Sequence, residues 1–300
     1  MTDVMKKIQA NIKTLKSLLK NKDARDALNQ WLMTELAYTS NAIEGNTLTR
    51  RETTLAIQEN LTSGSKPITH YMEAVNHAKA FEFVLEQAAS SAPLDTDTVL
   101  KIHRFILSGI DDANAGFYRT VPVRISGSRT VLPNPLKVPD LMAQFDAWLT
   151  QPDTDAIKKA IEAHYRLVTI HPFKDGNGRT ARLLMNLILI RAVGMPIIIR
   201  KIDRKRYLDA LEQRQTRDNP APYQNFMLKA LNRSLQTAID MLDTSKPDVN
   251  QKKLLKIAKF AKLAGVPTST IRYWVQTGKV KPTAYTDAGY MLFDPDILNS

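Results

Sequence analysis

Apolar residues recur at intervals of three and four through most of this chain, the period of a helix with one face against a core. Between about Asp23 and Ile43 that face is Leu28, Trp31, Leu32, Leu36 and Ala37. The same period predicts helices over roughly 69–90, 95–109, 138–150, 155–170, 179–193, 203–215 and 220–242. After the break at Glu44-Gly45-Asn46, the run Thr49-Arg50-Arg51-Glu52 has the form of a capping box. A threonine and a glutamate three residues on satisfy each other's backbone donors, so another helix starts there.

One stretch departs from the helical period. In FYRTVPVRISGSRTVLPNP (117–135), Val121, Val123 and Ile125 alternate, Gly127 follows, and Val131 resumes the apolar pattern. Period two around a turn predicts a short β-hairpin set among helices. A polar break at Thr244-Ser245-Lys246-Pro247-Asp248 then ends a long helix and divides the chain. Beyond it, KIAKFAKLAGVPTSTIRYWVQTGKVKP predicts a helix, a turn at Gly265-Val266-Pro267, and a second helix capped by Thr268 or Ser269. A hairpin turning on Asp287-Ala288-Gly289 follows. Helix, tight turn, helix and wing is the order of a winged helix-turn-helix. The expected fold class is mostly α, with a β-hairpin in the larger part and a small winged helix-turn-helix at the C-terminal end.

Composition narrows the classes. The 300 residues are 43% hydrophobic and 24% charged, ordinary for a globular chain with a sizeable core. No apolar run approaches the ~20 residues of a membrane span, and MTDVMKKIQANIK lacks the apolar centre of a signal peptide. Without cysteine there are no disulfides, thiolate metal sites or cysteine nucleophiles. The expected location is the cytoplasm, with no membrane partner. A net charge of +12 fits polyanionic partners such as nucleotides or nucleic acids, and equally fits a merely basic surface.

The chemistry concentrates in HPFKDGNGRTAR, His171 to Arg182, between two helical segments. Gly176-Asn177-Gly178 can adopt backbone angles closed to most residues, so that successive N–H groups point into one concavity. At the start of a helix such a concavity is an anion site. Arg179 and Arg182 lie three apart on one helix face and can reach one polyphosphate. Asp175 offers a hard oxygen suited to Mg²⁺, which binds through one or two carboxylates plus phosphates. His171 alone in the loop titrates near neutrality, which makes it the natural general base. Together these residues read as a site for phosphoryl or nucleotidyl transfer. Phe173 reads as a core anchor and Lys174 as solvent-facing; His70, His77, His103 and His164 read as caps or surface residues.

The loop resembles the signature of the Fic family, HxFx(D/E)GNGRxxR, with every specified position filled. The similarity extends over roughly 30–240. It implies a Fic-type helical core at 91–243, an N-terminal helical region at 1–90, a linker at 244–251 and the winged helix-turn-helix at 252–300. It further implies transfer of AMP from ATP to a Ser, Thr or Tyr hydroxyl of a target protein. By position, His171 is the base, Asp175 the Mg²⁺ ligand, Gly176, Asn177 and Gly178 the anion nest, and Arg179 and Arg182 the phosphate holders. The hairpin corresponds to the family's flap, and about 123–131 would hold an extended target segment by strand addition. Adenine is expected against Tyr207, with Asn225 a further candidate. ATP and Mg²⁺ are the implied cofactors.

Ser40-x-x-x-Glu44-Gly45 is similar to the (S/T)xxxE(G/N) inhibitory motif of Fic proteins. An acid at a helix C-terminus is disfavoured by the dipole unless a cation meets it. The resemblance implies that Arg182 is that cation, that Ser40 helps fix the helix, and that ATP then binds out of line. The C-terminal segment resembles a MerR-type DNA-binding domain. Its eight basic and three acidic residues over 252–300 give +5, with Arg272 and Tyr273 on the recognition helix. Other readings stay open: a different nucleotide, phosphorylation or AMP removal by the same loop; a DNA-binding regulator with a Fic scaffold; protein rather than DNA contacts at the C-terminal end. A homo-oligomer is a further open alternative.

Overall fold

The computed structural model describes residues 3–59, 62, 66–152, 155–243, 254–286, 289–294 and 297–298. They fall into two compact units, Met1–Leu242 and Asp243–Ser300. The expected linker at 244–251 and the turn residues Asp287 and Ala288 lie outside the described residues.

The larger unit contains ten α-helices among its described residues: α1 (Asp3–Leu18), α2 (Lys22–Ile43), α3 (Arg50–Glu59), α4 (Ile68–Ala89), α5 (Thr96–Leu107), α6 (Val138–Leu149), α7 (Ala156–Ile170), α8 (Asn177–Val193), α9 (Arg204–Arg217) and α10 (Pro220–Leu242). Helix α8 is the centre. Leu183, Leu184, Met185, Leu187, Ile188 and Leu189 are all buried, so it is apolar nearly all round, as a helix enclosed by others must be. Helices α7, α4, α5 and α2 pack against it. Glycines in the left-handed conformation bound it at both ends, Gly176 (φ 75°) and Gly194 (φ 78°).

Caps written in the sequence are formed. Asn21 accepts the Asp23 N–H at 2.8 Å and Asp95 the Thr98 N–H at 2.9 Å. The capping box closes reciprocally, with the Thr49 N–H on Glu52 Oε2 at 2.7 Å and the Glu52 N–H on Thr49 Oγ1 at 3.2 Å. Helix α1, which the sequence reading passed over, lays Ile8 and Leu15 into the main core along α10. Helices α1, α2 and α4 thus contribute to the main core of the unit, while Leu48, Ala56, Tyr71 and Ala74 form a smaller cluster of their own.

The segment 117–135 corrects an expectation. It turns at Ile125–Ser128, where the Ser128 N–H meets the Ile125 carbonyl at 3.2 Å, but no strand ladder joins its arms. Pro122 and Pro133 remove donors from opposite arms. The arms are tied by side chains instead. Buried Arg119 donates to the carbonyls of Val121 and Pro133, one on each arm. Glu212 of α9 accepts from Ser128 Oγ (3.0 Å) and the Arg129 N–H (2.6 Å).

The smaller unit has its own core of Phe260, Ala261, Ile271, Val280 and Phe293, with the two phenylalanine rings stacked at 4.6 Å. Helices α11 (Ile257–Leu263) and α12 (Thr268–Gln276) flank a turn where Gly265 takes φ 67°. Strands β1 (Leu255–Lys256), β2 (Ala284–Tyr285) and β3 (Met291–Phe293) form an antiparallel sheet in the order β1-β3-β2. The expected side-chain cap of α12 is not made: Pro267 occupies the cap position, and Thr268 is the first helical residue.

Candidate active site

The loop from α7 to α8 is shaped by two left-handed residues. His171 ends α7 with φ 52° and ψ 59°, a conformation that costs a non-glycine residue free energy and that its neighbours enforce. Arg119 supplies much of that enforcement, donating from Nε to the His171 carbonyl at 2.8 Å and from its backbone N–H to the Pro172 carbonyl at 2.8 Å. His171 Nδ1 lies 3.3 Å from the Val168 carbonyl. With the proton on Nδ1 donated there, Nε2 keeps its lone pair. Burial, reinforced by the Arg119 charge, holds the His171 pKa below the ordinary histidine value, so the imidazole is neutral and able to accept a proton.

The Asn177 side chain staples the loop. Its Oδ1 accepts the Phe173 N–H and its Nδ2 donates to the Phe173 carbonyl, both at 2.9 Å. Its side chain is thus structural, and only its backbone N–H faces the nest. The Gly176 N–H is taken by Asp175 Oδ1 at 2.6 Å, which removes it from the expected set of anion donors. The first intrahelical bond of α8 runs from the Thr180 N–H to the Gly176 carbonyl. The N–H groups of Asn177, Gly178 and Arg179 precede it and are the unclaimed donors of the helix start. Phe173 is fully buried and stacks on His103 at 3.6 Å, as an anchor should; Lys174 is exposed, 3.9 Å from Asp111.

Glu44, the residue capping α2, reaches into this nest. Its Oε1 accepts from Arg182 at 2.6 Å, and Arg182 also donates to Ser40 Oγ (2.9 Å) and the Ser40 carbonyl (3.0 Å). The guanidinium is 6% exposed, so the pair is charge-assisted and screened little by solvent. Arg179, 3% exposed, pairs instead with Glu73 at 3.0 Å and Asp175 at 3.2 Å. The two arginines therefore hold different acids.

Three histidine expectations are overturned. His77, His103 and His164 are buried, not capping or surface residues. His103 accepts the Gly116 N–H on Nδ1 (2.9 Å) and, with its proton on Nε2, donates to the Asp175 carbonyl (3.0 Å), bracing the metal-ligand candidate from behind. His164 bridges Tyr207 (2.8 Å) and Tyr223 (2.7 Å). Burial is the first cause in lowering their pKa values, to about 3 for His77 and His164 and about 4 for His103. His70 alone stays near a turn, 3.1 Å from Thr47 Oγ1. The signal missed in the sequence was position: His103 shares the buried face of α5 with Val99, Ile102 and Ile106.

Tyr207 is likewise not an adenine platform. It is 1% exposed, its hydroxyl bound to His164 and facing Arg182, and burial raises its pKa to about 12. Asn225 lies on the exposed face of α10. A single hard carboxylate, Asp175, 72% exposed beside an anion nest, fits Mg²⁺ bound largely through nucleotide phosphates. Among the described residues no group of three or more acids and histidines forms an all-protein metal cage, so that mode does not fit.

The helical core, loop and nest coincide with a family match: residues 93–189 match the model of the Fic/DOC family. Residues 256–293 match that of the MerR family regulatory protein. The chain is 37% identical over 202 residues to protein adenylyltransferase Fic of Nematostella vectensis, covering 66% of this chain and 47% of that protein. It thus spans about half the length of that curated relative. Among solved structures it resembles Fic-1 (aa134–508) from C. elegans (TM-score 0.72, 29% identity, 81% of this chain and 74% of that one). It also resembles a Fic domain containing signaling protein from Bacteroides thetaiotaomicron (TM-score 0.70, 28% identity, 79% and 97%).

Proposed function

We propose that this chain is a protein adenylyltransferase that moves AMP from ATP to a hydroxyl side chain of a target protein and is held inactive by Glu44. The observation that carries this reading is the convergence of neutral His171, the nest of α8, Asp175 and Arg182 on one site, with the Glu44 carboxylate bound there as an anion. The curated relatives named as adenylyltransferases support it.

His171 Nε2 takes the proton of the target hydroxyl. The hydroxyl oxygen bonds to the α-phosphorus of ATP while the bond from that phosphorus to the bridging oxygen of pyrophosphate breaks. The N–H groups of Asn177, Gly178 and Arg179 and the two guanidinium groups hold phosphate oxygens. Asp175 is the residue that would hold Mg²⁺ together with the nucleotide phosphates, and the cation would supply positive charge beside the pyrophosphate leaving group. Catalysis of this kind is mostly positioning and electrostatics. Glu44 therefore inhibits by occupying Arg182, leaving the terminal phosphates misplaced. The absence of a strand ladder across 123–131 supports its reading as the place where an extended target segment adds as a strand.

The smaller unit is read as a DNA-binding element. Arg272 and Tyr273 are exposed on α12, and Lys259, Lys262, Lys279 and Lys281 are exposed around it. The match to the MerR family model favours this over a protein contact.

The test is incubation of the Glu44→Gly protein with cell lysate and ATP labelled at either the α- or the γ-phosphate. Protein bands labelled from the α-position alone are expected. Label arriving from the γ-position would mean phosphorylation and would overturn the reading.

A further inference from the structure

Glu73, in the second turn of α4, belongs to neither motif, yet it touches both. Its Oε1 accepts from Arg179 at 3.0 Å, its Oε2 accepts from Asn46 Nδ2 at 2.8 Å, and its backbone carbonyl accepts from Asn41 Nδ2 at 3.1 Å. Asn41 lies in the last turn of the helix that carries Glu44, and Asn46 lies two residues beyond it. Asn46 is itself buried; its Nδ2 also donates to the His70 carbonyl, and its Oδ1 accepts the Leu48 N–H. One carboxylate thus joins the segment bearing the inhibitory acid to the first arginine of the loop.

The charge balance at Arg179 gives this contact a consequence. Arg179 is buried, and a buried cation needs a nearby anion. It has two: Asp175, 72% exposed, and Glu73, 20% exposed. Asp175 is also the candidate Mg²⁺ ligand. To bind a cation, Asp175 must give up some of its attraction to Arg179, and Arg179 itself repels the incoming charge. With Glu73 in place, Arg179 stays neutralised and oriented as Asp175 turns to the metal. Without it, Arg179 competes for Asp175 with its full charge.

We infer that Glu73 is a positioning residue that neutralises Arg179 so that Asp175 is free to take a divalent cation, and that the same carboxylate ties this state to the inhibitory segment through Asn46. The inference rests on Asp175 as the metal ligand of the proposed adenylyltransferase.

The experiment uses the full chain carrying Glu44→Gly, with and without Glu73→Gln. Mn²⁺ binding in the presence of ATP is followed by electron paramagnetic resonance, and the Mg²⁺ concentration giving half-maximal transfer is measured beside it. Glu73→Gln is expected to weaken Mn²⁺ binding and to raise the Mg²⁺ requirement by about tenfold, with most of the rate recovered at saturating Mg²⁺. Asn46→Ala removes the tie from Glu73 to the inhibitory segment, together with the Asn46 bonds to His70 and Leu48, and leaves the Glu73–Arg179 pair in place. In the chain that retains Glu44 it should raise basal transfer and leave Mn²⁺ binding unchanged. If Glu73→Gln is unfolded by circular dichroism, Glu73→Asp keeps the charge but shortens the reach to Arg179, and a smaller weakening of Mn²⁺ binding is expected. Unchanged Mn²⁺ binding in a folded Glu73 variant overturns the inference while transfer by the Glu44→Gly chain leaves the enzyme reading standing. No transfer by that chain removes both.

Discussion

The Glu44 carboxylate lies against Gly178 so closely that a Cβ added to Gly178 would sit 2.5 Å from Glu44 Oε1 and 3.0 Å from an Arg182 nitrogen. The Glu44 carboxylate therefore occupies the mouth of the nest itself, and only glycine leaves room for it. Gly178→Ala should push Glu44 off Arg182 and destabilise the fold, whereas in a Glu44→Gly background the same change has no carboxylate to displace. A double-mutant cycle by urea unfolding should give a coupling of roughly 0.5–3 kcal/mol between the two positions. Strict additivity would mean that the two groups do not share this space.

Glu44→Gly should raise AMP transfer on the order of 10²-fold, because misplacing a reacting phosphate costs rates of that size. The double change Glu44→Gly with Arg182→Ala should stay inactive, since the freed guanidinium is what the nucleotide gains. Self-modification and target modification at saturating ATP and Mg²⁺ are the readouts. Equal activity of the parent chain and Glu44→Gly would defeat the autoinhibition claim.

His171→Ala should lower transfer by about 10²–10⁴, the usual share of a general base, while ATP binding and melting temperature change little. Calorimetric titration with ATP beside a transfer assay separates these outcomes. Near-normal transfer by the variant would remove the imidazole from the chemistry.

Stability should fall steeply on acidification below about pH 6.5. His77 and His164 hold folded pKa values of about 3, and His103 about 4, against an ordinary 6.5. Below pH 6.5 the unfolded chain takes up protons that the folded chain refuses, so the stability present above that pH is lost as it falls. Each histidine contributes a slope of about 1.4 kcal/mol per pH unit between 6.5 and its folded value. Urea midpoints from pH 7 to pH 4.5 check this, and a flat profile would contradict it.

If the smaller unit binds duplex DNA, affinity should fall linearly on a log–log plot against salt, because neutralised phosphates release counterions. Arg272→Ala should weaken binding, with the slope reduced by about one if that residue contacts a phosphate. Gel shifts of the full chain at low salt provide the test. No shift at any salt would favour a protein partner.

What the sequence determined was everything carried by period and by neighbours a few residues apart. The apolar stripe predicted α2 and the core helices, Thr49 and Glu52 predicted the start of α3, and the helix-turn-helix order predicted α11 and α12. The spacing within HPFKDGNGRTAR predicted a site at the start of a helix because each residue's place there is set by its immediate neighbours. Helix α1 has its own signal in Ile8, Ile12 and Leu15 at helical spacing.

What only the tertiary structure decided was which distant groups share a charge or a donor. Arg182 meets Ser40 and Glu44 across 142 and 138 residues, a pairing that the motif resemblance implies but local spacing does not specify, and whose geometry comes from the packing of α2 on α8. Tyr207 and Asn177 have the right chemistry for ligand contact, but packing turned both side chains inward, onto His164 and onto Phe173. The arms of 117–135 alternate as strands do, yet two prolines and the Arg119 guanidinium took the groups a ladder requires. Glu73 carries no local signature at all. Its role exists only because α4 packs between the end of α2 and the start of α8, where the charge of a buried arginine has to be balanced by whichever acid the fold brings near.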